Sequence, residues 1–334
     1  MATLHPRKFP QRWFLAVAFA VGLAGSGCVT THKTNYVNVG NQYAKDGLLR
    51  EASEAYKKAL VKKPHNATAH RNLGMVLVKM GNYKAAAKHL EKAMNHYGHD
   101  FDANYYLGEA YRAQDKYAEA IFRYKEALKI KDGDARALKP LAWSYFKIRY
   151  YSEALIVARR LQKSAPDDDQ MPIIVSRTLL KLKRAKEALA VVHTGMKKID
   201  RAHRPFYYSV EGDILYQLGN RLGAEKAYRA ALKDQPLLAG ALLGLGRCSL
   251  ASGKTKAAIT YMERAVRIRP RLTLAHFLLG KAYENIDRAK SIRYYQYFRK
   301  QASADPEFLA RLDEVKRRIA VLQKPVGART AIKR

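Results

Sequence analysis

Residues 35–64 read NYVNVGNQYAKDGLLREASEAYKKALVKKP, and this stretch decides the fold. Its apolar residues recur at three-to-four spacing over residues 36–43 and again over residues 48–60. Such spacing is typical of amphipathic helices, and Gly47 marks a turn between the two. Because proline cannot continue a helix, Pro64 ends the second one. The stretch therefore predicts a pair of helices joined by a short turn.

The same unit recurs along most of the chain in two columns of small residues. Both columns advance by 34 residues, and both are interrupted once, at the same place, by a step of 36. Two columns with one period indicate an internal repeat. The first column is Gly40, Gly74, Gly108, Ala142, Ser176, Gly212, Gly246 and Gly280, and the second is Ala52, Ala86, Ala120, Ala154, Ala188, Ala224 and Ala258.

The two columns fall where the helices of one unit are expected to cross. Gly40 and Ala52 lie on opposite helices of the first unit, and their small side chains allow the backbones to approach closely. Larger neighbours such as Tyr43 and Tyr56 then interlock around the crossing. The pattern predicts an all-α protein whose units pack mainly on their neighbours.

This pattern resembles the tetratricopeptide repeat. The first unit matches it with Gly40, Tyr43, Ala52, Tyr56, Ala59 and Pro64. The resemblance covers residues 35–303 and implies a right-handed superhelical solenoid of about eight repeats, with the fifth the least typical. An apolar stripe over residues 305–322 predicts a C-terminal cap helix, with Phe308, Leu309, Leu312, Val315, Ile319 and Leu322 in the stripe. Residues 323–334 are basic and are predicted to be disordered.

The chain is strongly basic, with 62 Lys and Arg against 29 Asp and Glu and a formal net charge of +33. This excess predicts attraction to anionic surfaces that weakens as salt rises, without selecting one. Nucleic acid, acidic lipid headgroups, cell-wall anions and an acidic protein all fit the charge.

The N-terminal segment is typical of a secretory signal. Residues 1–27 hold a positive start, an apolar stretch at 13–23 that is too short to span a bilayer, and a run of small residues before Cys28. This order resembles a bacterial lipoprotein signal, although Gly25 stands where leucine is usual. The resemblance implies that Cys28 becomes the N-terminus, carries fatty acyl chains such as palmitate, and holds the protein at the outer membrane through a tether of residues 28–34. An ordinary cleaved signal and an uncleaved anchor remain the alternatives.

The resemblance also implies a concave groove lined by first-helix positions 2, 5, 9, 12 and 13 of each repeat. Cations alternating with aromatic side chains suit an extended or helical peptide with acidic residues. The alternative is that a chain this basic places cations on every face. The groove candidates are Arg71, Lys79, Tyr105, Arg112, Arg136, Lys139, Trp143, Phe146, Lys147, Arg177, Lys181, Tyr216, Arg247, Phe277 and Lys281, with Met75, Glu109, Phe206 and Asp213 at equivalent positions.

No catalytic constellation stands out from the repeat pattern. Residues 248–255 read CSLASGKT, but a phosphate-binding loop needs glycine at the first position and a preceding strand. His96 and His99 lie near two aspartates in a connection between repeats, which favours a solvated loop over a metal site. We therefore expect neither an enzyme nor a cofactor or metal.

Two functions remain. The first is an outer-membrane adaptor whose groove binds an envelope protein or peptide and aids assembly of an envelope complex, a layout that resembles the pilotins of type IV pilus or secretion machinery. The second is a polyanion-binding protein that acts through its net charge on anionic lipid, cell wall or nucleic acid. A secretory signal argues against nucleic acid, because an exported protein encounters little of it.

Overall fold

The structure is a computed structural model that describes residues 35–302 and 308–324. These residues form seventeen α-helices and no strand. The predicted signal peptide, Cys28, the tether and residues 325–334 lie outside the described part of the chain.

Sixteen of the helices pair into eight successive hairpins, and the last stands alone. The first four hairpins are α1 (Tyr36–Lys45) with α2 (Leu49–Lys62), α3 (Ala67–Lys79) with α4 (Tyr83–Tyr97), α5 (Phe101–Arg112) with α6 (Tyr117–Ile130), and α7 (Ala135–Lys147) with α8 (Tyr151–Ser164). The next four are α9 (Met171–Lys181) with α10 (Ala185–Met196), α11 (Arg204–Gln217) with α12 (Arg221–Asp234), α13 (Ala239–Ala251) with α14 (Thr255–Ile268), and α15 (Thr273–Tyr283) with α16 (Arg288–Ala302). The single helix is α17 (Leu309–Gln323).

Each helix contacts the next one in the chain, and the first helices of successive hairpins also contact one another from α1 to α13. No pair of second helices in the described residues packs to a similar extent. The first helices are therefore closer together than the second helices, so the stack curves toward the first helices. This arrangement confirms the predicted all-α helical-repeat superhelix.

The core of each hairpin is built on the small-residue column. In four hairpins a glycine of the first helix packs against a fully buried tyrosine of the second, as in Gly212 against Tyr228. A Cβ added to Gly212 would lie 2.5 Å from Cε1 of that ring. The other three such pairs are Gly40 with Tyr56, Gly108 with Tyr124, and Gly280 with Tyr295.

The fourth and fifth hairpins keep this fit with different residues. Ala142 replaces the glycine of hairpin four, and the tyrosine position there holds Ala158. Hairpin five has Ser176 opposite Val192, and the Ser176 hydroxyl donates to the carbonyl of Ala188 at 3.2 Å. All four of the paired side chains are fully buried. A larger residue in the first helix thus coincides with a smaller one in the second.

The turn inside the first seven hairpins uses one left-handed residue, which is not always glycine. Gly47, Gly81, Gly219 and Gly253 have φ between 70° and 84°. In the third, fourth and fifth hairpins the same position holds Asp115, Arg149 and Lys183, with φ of 59°, 70° and 64°. Since a Cβ disfavours this conformation, the three middle turns are held there by the packing of their helices.

Helix α17 covers the end of the stack, as predicted, although the described helix begins at Leu309. Val315, Ile319 and Leu322 are buried with Phe308 against Phe277 and Phe298. Leu309, which we placed in the apolar stripe, is 49% exposed, because it lies on the solvent side of the first turn. An ion pair of 2.6 Å between Arg318 and Glu284 joins α17 to the end of α15.

We predict that Gly212→Ala destabilises the protein by about 1–3 kcal/mol, because the new methyl group overlaps the buried Tyr228 ring. Gly240→Ala is the matched control, since its Cβ would meet only the Ser209 hydroxyl at 3.5 Å within α13. That control should be neutral or stabilising by up to about 1 kcal/mol, because alanine favours helix. Urea unfolding measures both, and equal effects would contradict the proposed close approach.

Two histidines meet within the second hairpin, one on each of its helices. Nδ1 of His70 lies 2.8 Å from Nδ1 of His89, and Nε2 of His70 lies 2.9 Å from the carbonyl of Pro64. Since that carbonyl can only accept, Nε2 of His70 donates to it, and His89 donates to His70 in the neutral pair. Burial, His70, Lys92 and Lys57 together lower the pKa of His89 to about 4.

This pair predicts that the protein loses stability on mild acidification. The unfolded chain binds protons at these rings below about pH 6.5, whereas folded His89 resists protonation down to about pH 4. The free energy of unfolding should therefore fall as the pH is lowered through that window. In His89→Gln the dependence measured by urea unfolding should be weaker, and an unchanged slope would contradict this role.

Candidate functional site: the inner groove

The inner groove is the surface formed by the first helices, where successive hairpins lie closest. Part of this groove is a concave pocket of about 750 Å³ between α5, α7, α9 and α11. Six of the predicted groove residues line this pocket, namely Tyr105, Arg112, Arg136, Lys139, Trp143 and Arg177. The structure thus brings candidates from three successive hairpins into one cavity, which we call the central pocket.

Most cations of the central pocket already have carboxylate partners. Arg112 bonds Glu109 at 2.6 Å, and Lys139 bonds Asp168 of the following connection at 2.9 Å. Arg136 pairs with Asp134 at 3.1 Å and with Asp102 at 3.2 Å. These contacts hold the side chains in place, and they neutralise much of the positive charge that the sequence placed here.

Arg177 differs from these three cations. It has no hydrogen bond or ion pair among the described residues, although it lines the same pocket. Burial lowers the pKa of its guanidinium, and the charge of Asp213 opposes that effect. A partly enclosed guanidinium without a fixed partner can donate hydrogen bonds to a carboxylate from outside the chain.

Aromatic rings form the apolar walls of the central pocket. The Trp143 ring stacks on Phe146 with centroids 5.4 Å apart, and the ammonium of Lys147 lies 5.2 Å from the Trp143 centroid. Arg136 lies 5.9 Å from the ring of Tyr105. Such half-buried rings with cations beside them are frequent anchors of protein interfaces.

Two carboxylates on the inner groove accept hydrogen bonds from buried tyrosines of the hairpin cores. The Tyr124 hydroxyl donates to Glu109 at 2.5 Å, and the Tyr228 hydroxyl donates to Asp213 at 2.8 Å. Desolvation by the surrounding groove residues raises the pKa of Asp213. Its side chain is nevertheless 39% exposed to water. Buried tyrosines of the second helices therefore reach through the hairpins to fix polar groups on the inner surface.

A second pocket, of about 620 Å³, lies further along the groove between α11, α13, α15 and α17. It contains the predicted residues Tyr216, Arg247 and Lys281. The Arg247 guanidinium lies 4.1 Å from the Tyr216 ring centroid. This pocket is separate from the central one and has fewer aromatic residues in its walls.

The remaining candidates line neither pocket. Arg71 is bonded to Asp100 through two nitrogens, while Lys79 and Lys181 are exposed. Phe277 is not on the groove surface as we predicted, because its ring is only 5% exposed. Phe298 packs against it, and Arg311 of the end helix lies 5.1 Å from its centroid.

Sequence reasoning missed several residues of the central pocket. Gln170 and Ile173 line it at positions 2 and 5 of the fifth repeat, although we did not name them as candidates. His203 also lines it and occupies no position that the repeat pattern assigns to the groove. His203 belongs to the two-residue insertion after the fifth repeat, and its Nδ1 pairs with Asp169 at 2.7 Å. The run of three aspartates at 167–169 was the available signal, because Asp168 pairs with Lys139 and Asp169 contacts His203.

The described residues offer little support for other kinds of site. No group of three or more His, Cys, Asp or Glu side chains is placed to hold a metal ion, and no described helix is long and apolar enough to cross a membrane. Cys248 is buried in α13, and Gly253 forms the inter-helix turn with φ of 70°. The phosphate-loop-like string therefore lies on a helix and its turn, as predicted.

Comparison with family profiles agrees with the repeat pattern. Two profiles described as tetratricopeptide repeat match residues 65–133 and 210–272, and one described as TPR repeat matches residues 40–81. No curated protein matches the sequence.

Solved structures resemble the chain in fold. A tetratricopeptide repeat protein from Parabacteroides merdae has a TM-score of 0.62 at 15% identity, covering 74% of this chain and 97% of that one. The Cut9–Hcn1 hetero-tetramer of the APC/C gives 0.60 at 11%, with 86% of this chain and 55% of that one covered. A monomeric IFIT1 mutant with Gppp-AAAA gives 0.55 at 14%, with 86% and 75% covered. At these identities the likeness concerns the fold alone.

Proposed function

Because the chain is a tetratricopeptide-repeat protein, a scaffold for protein–protein interaction, we propose that it is an adaptor of the bacterial cell envelope. In this proposal Cys28 anchors it to the outer membrane, facing the periplasm. The inner groove binds an acidic segment of another envelope protein and aids assembly of an envelope complex, such as type IV pilus or secretion machinery.

The central pocket is the observation that carries the proposal. It combines exposed parts of Tyr105 and Trp143 with four cations, three of which are already paired with carboxylates of the chain. The pocket therefore favours a segment that inserts an apolar or aromatic side chain and offers one carboxylate to Arg177. A uniform polyanion would instead have to compete with the internal carboxylates for each of the other cations.

The residue types in the central pocket predict that a few side chains contribute most of the binding free energy. Interfaces commonly depend on a small number of buried aromatic and arginine residues, and removal of one costs about 2 kcal/mol or more. Trp143 and Arg177 combine these features on neighbouring first helices. Binding through net charge would instead spread over the 62 basic residues and would fall steeply with salt.

The groove proposal predicts loss of a co-purifying protein on mutation of the pocket. Detergent-solubilised full chain, isolated at moderate salt, should retain one envelope protein, identified by mass spectrometry. Trp143→Ala and Arg177→Gln should each weaken its retention about thirtyfold, corresponding to about 2 kcal/mol.

Phe122→Ala is the matched control, because Phe122 is 54% exposed on α6, a second helix. It removes an aromatic ring without altering the inner groove. Equal loss in the control, or recovery of nucleic acid alone, would contradict the adaptor function. Circular dichroism checks that each variant remains folded.

The anchor proposal makes a separate prediction. Cells grown with a labelled fatty acid should incorporate the label into the wild-type protein and not into Cys28→Ala, since acylation requires that thiol. Cys248→Ala is the matched control and should keep the label, because Cys248 is buried in α13. Absence of label from the wild type would refute the anchor while leaving the groove prediction intact.

A further inference from the structure

A pocket on the second helices has a different arrangement of charges from that of the inner groove. It has a volume of about 890 Å³ and lies between the second helices α14 and α16, with the start of α15 at its floor. We call it the outer pocket. Arg267, Arg271, Arg293 and Lys300 line it, against a single carboxylate, Glu263.

The one carboxylate of the outer pocket is already engaged. Oε1 of Glu263 accepts hydrogen bonds from the hydroxyls of Tyr283 at 2.8 Å and Tyr294 at 3.1 Å. In the described part of the chain, Arg267, Arg271 and Arg293 have no carboxylate within ion-pair distance. Their positive charge is therefore not balanced internally, in contrast to Arg112, Arg136 and Lys139 in the central pocket.

The floor of the outer pocket is a helix start without a side-chain cap. Helix α15 begins at Thr273, and Leu272 before it supplies no capping acceptor. The N–H groups of Ala275 and His276 already donate to the carbonyl of Leu272, so the donors left at this helix start are those of Thr273 and Leu274. The helix dipole favours negative charge beside them. This feature adds neutral donors to the three arginines and the lysine.

A buried and incompletely bonded histidine gives independent support. His276 lines the pocket and is only 5% exposed. Its Nε2 donates to the Pro270 carbonyl at 2.8 Å, whereas its Nδ1 has no hydrogen-bond partner in the structure. Because Nε2 donates, Nδ1 of the neutral ring is an acceptor, and buried polar atoms are normally satisfied. An unpaired acceptor beside an open pocket therefore indicates a donor from outside the chain, such as a hydroxyl of the group that carries an anion.

The second hairpin provides an internal comparison. His70 occupies the equivalent place in the repeat and bonds the carbonyl of Pro64 in the same way. There, however, His89 satisfies the Nδ1 atom. In the last hairpin the ring beside His276 belongs to Tyr294, with centroids 6.0 Å apart, and the Tyr294 hydroxyl is directed to Glu263.

We propose that the outer pocket binds a phosphate group carried on a larger polar molecule. Three arginine forks around one cavity match the geometry of phosphate oxygens and its double negative charge better than a single carboxylate. The cavity is larger than a free phosphate requires, so it admits the sugar or glycerol to which the phosphate is attached. This site is independent of the inner groove, because it lies on the second helices.

Glycerol 3-phosphate is the probe for this proposal, and calorimetry on the full chain measures its affinity. The double variant Arg267→Gln and Arg293→Gln should bind about a hundredfold more weakly, at about tenfold for each lost charged hydrogen bond. The matched control is Arg269→Gln with Arg299→Gln, at the C-cap of α14 and within α16, and neither residue lines the outer pocket. The control should bind like the wild type, and equal weakening in both would overturn the site in favour of overall charge.

A second measurement reports on the pocket itself. Addition of glycerol 3-phosphate should shift the ring resonances of His276 in the NMR spectrum and leave those of His70 unchanged. Shifts at both rings, or at neither, would overturn the assignment.

Vesicles made from equal parts of phosphatidylcholine and phosphatidic acid, whose headgroup is a phosphate monoester of glycerol, distinguish a lipid headgroup from a soluble phosphate ester. If the wild type and the control variant bind these vesicles and the double variant does not, the phosphate belongs to a lipid. If only glycerol 3-phosphate binds, the ligand is a soluble ester. If neither binds to the wild type, the proposal is wrong, and the adaptor function of the groove is unaffected.

Discussion

Close packing of a small residue in the first helix against the side chain opposite it in the second helix sets the distance between the two helices of each hairpin. In four hairpins this contact is glycine on tyrosine, and a single methyl group would not fit between them. Leu90 and Met262 take the place of the ring above Gly74 and Gly246. The close approach fixes how far apart the two helix layers lie. It also allows the hydroxyls of Tyr124 and Tyr228 to reach acceptors on the inner groove.

The two faces of the stack use their positive charge differently. On the inner groove, at least five of the ten predicted arginines and lysines pair with nearby carboxylates, namely Arg71, Arg112, Arg136, Lys139 and Arg247. Recognition there rests on shape, rings and the less constrained Arg177. In the outer pocket, Arg267, Arg271 and Arg293 have no carboxylate partner among the residues that the structure describes. Net charge alone would have suggested one diffuse polyanion surface, whereas the pairing of individual side chains distinguishes the proposed peptide site from the proposed phosphate site.

The sequence predicted the helix pairs and their number well, because the small-residue columns and the amphipathic spacing depend only on contacts within and between neighbouring units. It predicted groove residues only in part. Phe277 has the right position in its repeat, yet the end helix covers its ring, and no periodic pattern contains that contact. The partners of Lys139 and Arg136 come from connections and from the preceding hairpin. His203 lies in an insertion that the repeat pattern does not describe. The unpaired nitrogen of His276 depends on side-chain geometry, which no spacing encodes.

The restriction of packing to adjacent hairpins has a mechanical consequence. Since most contacts in the described part of the chain join consecutive helices or the first helices of successive hairpins, each junction carries its own share of the cohesion. Tension applied along the stack would be borne in series, so the weakest junction would open first while the others stayed closed. A chain held at one end and loaded at the other would thus lengthen stepwise, hairpin by hairpin, and could recover its form when released.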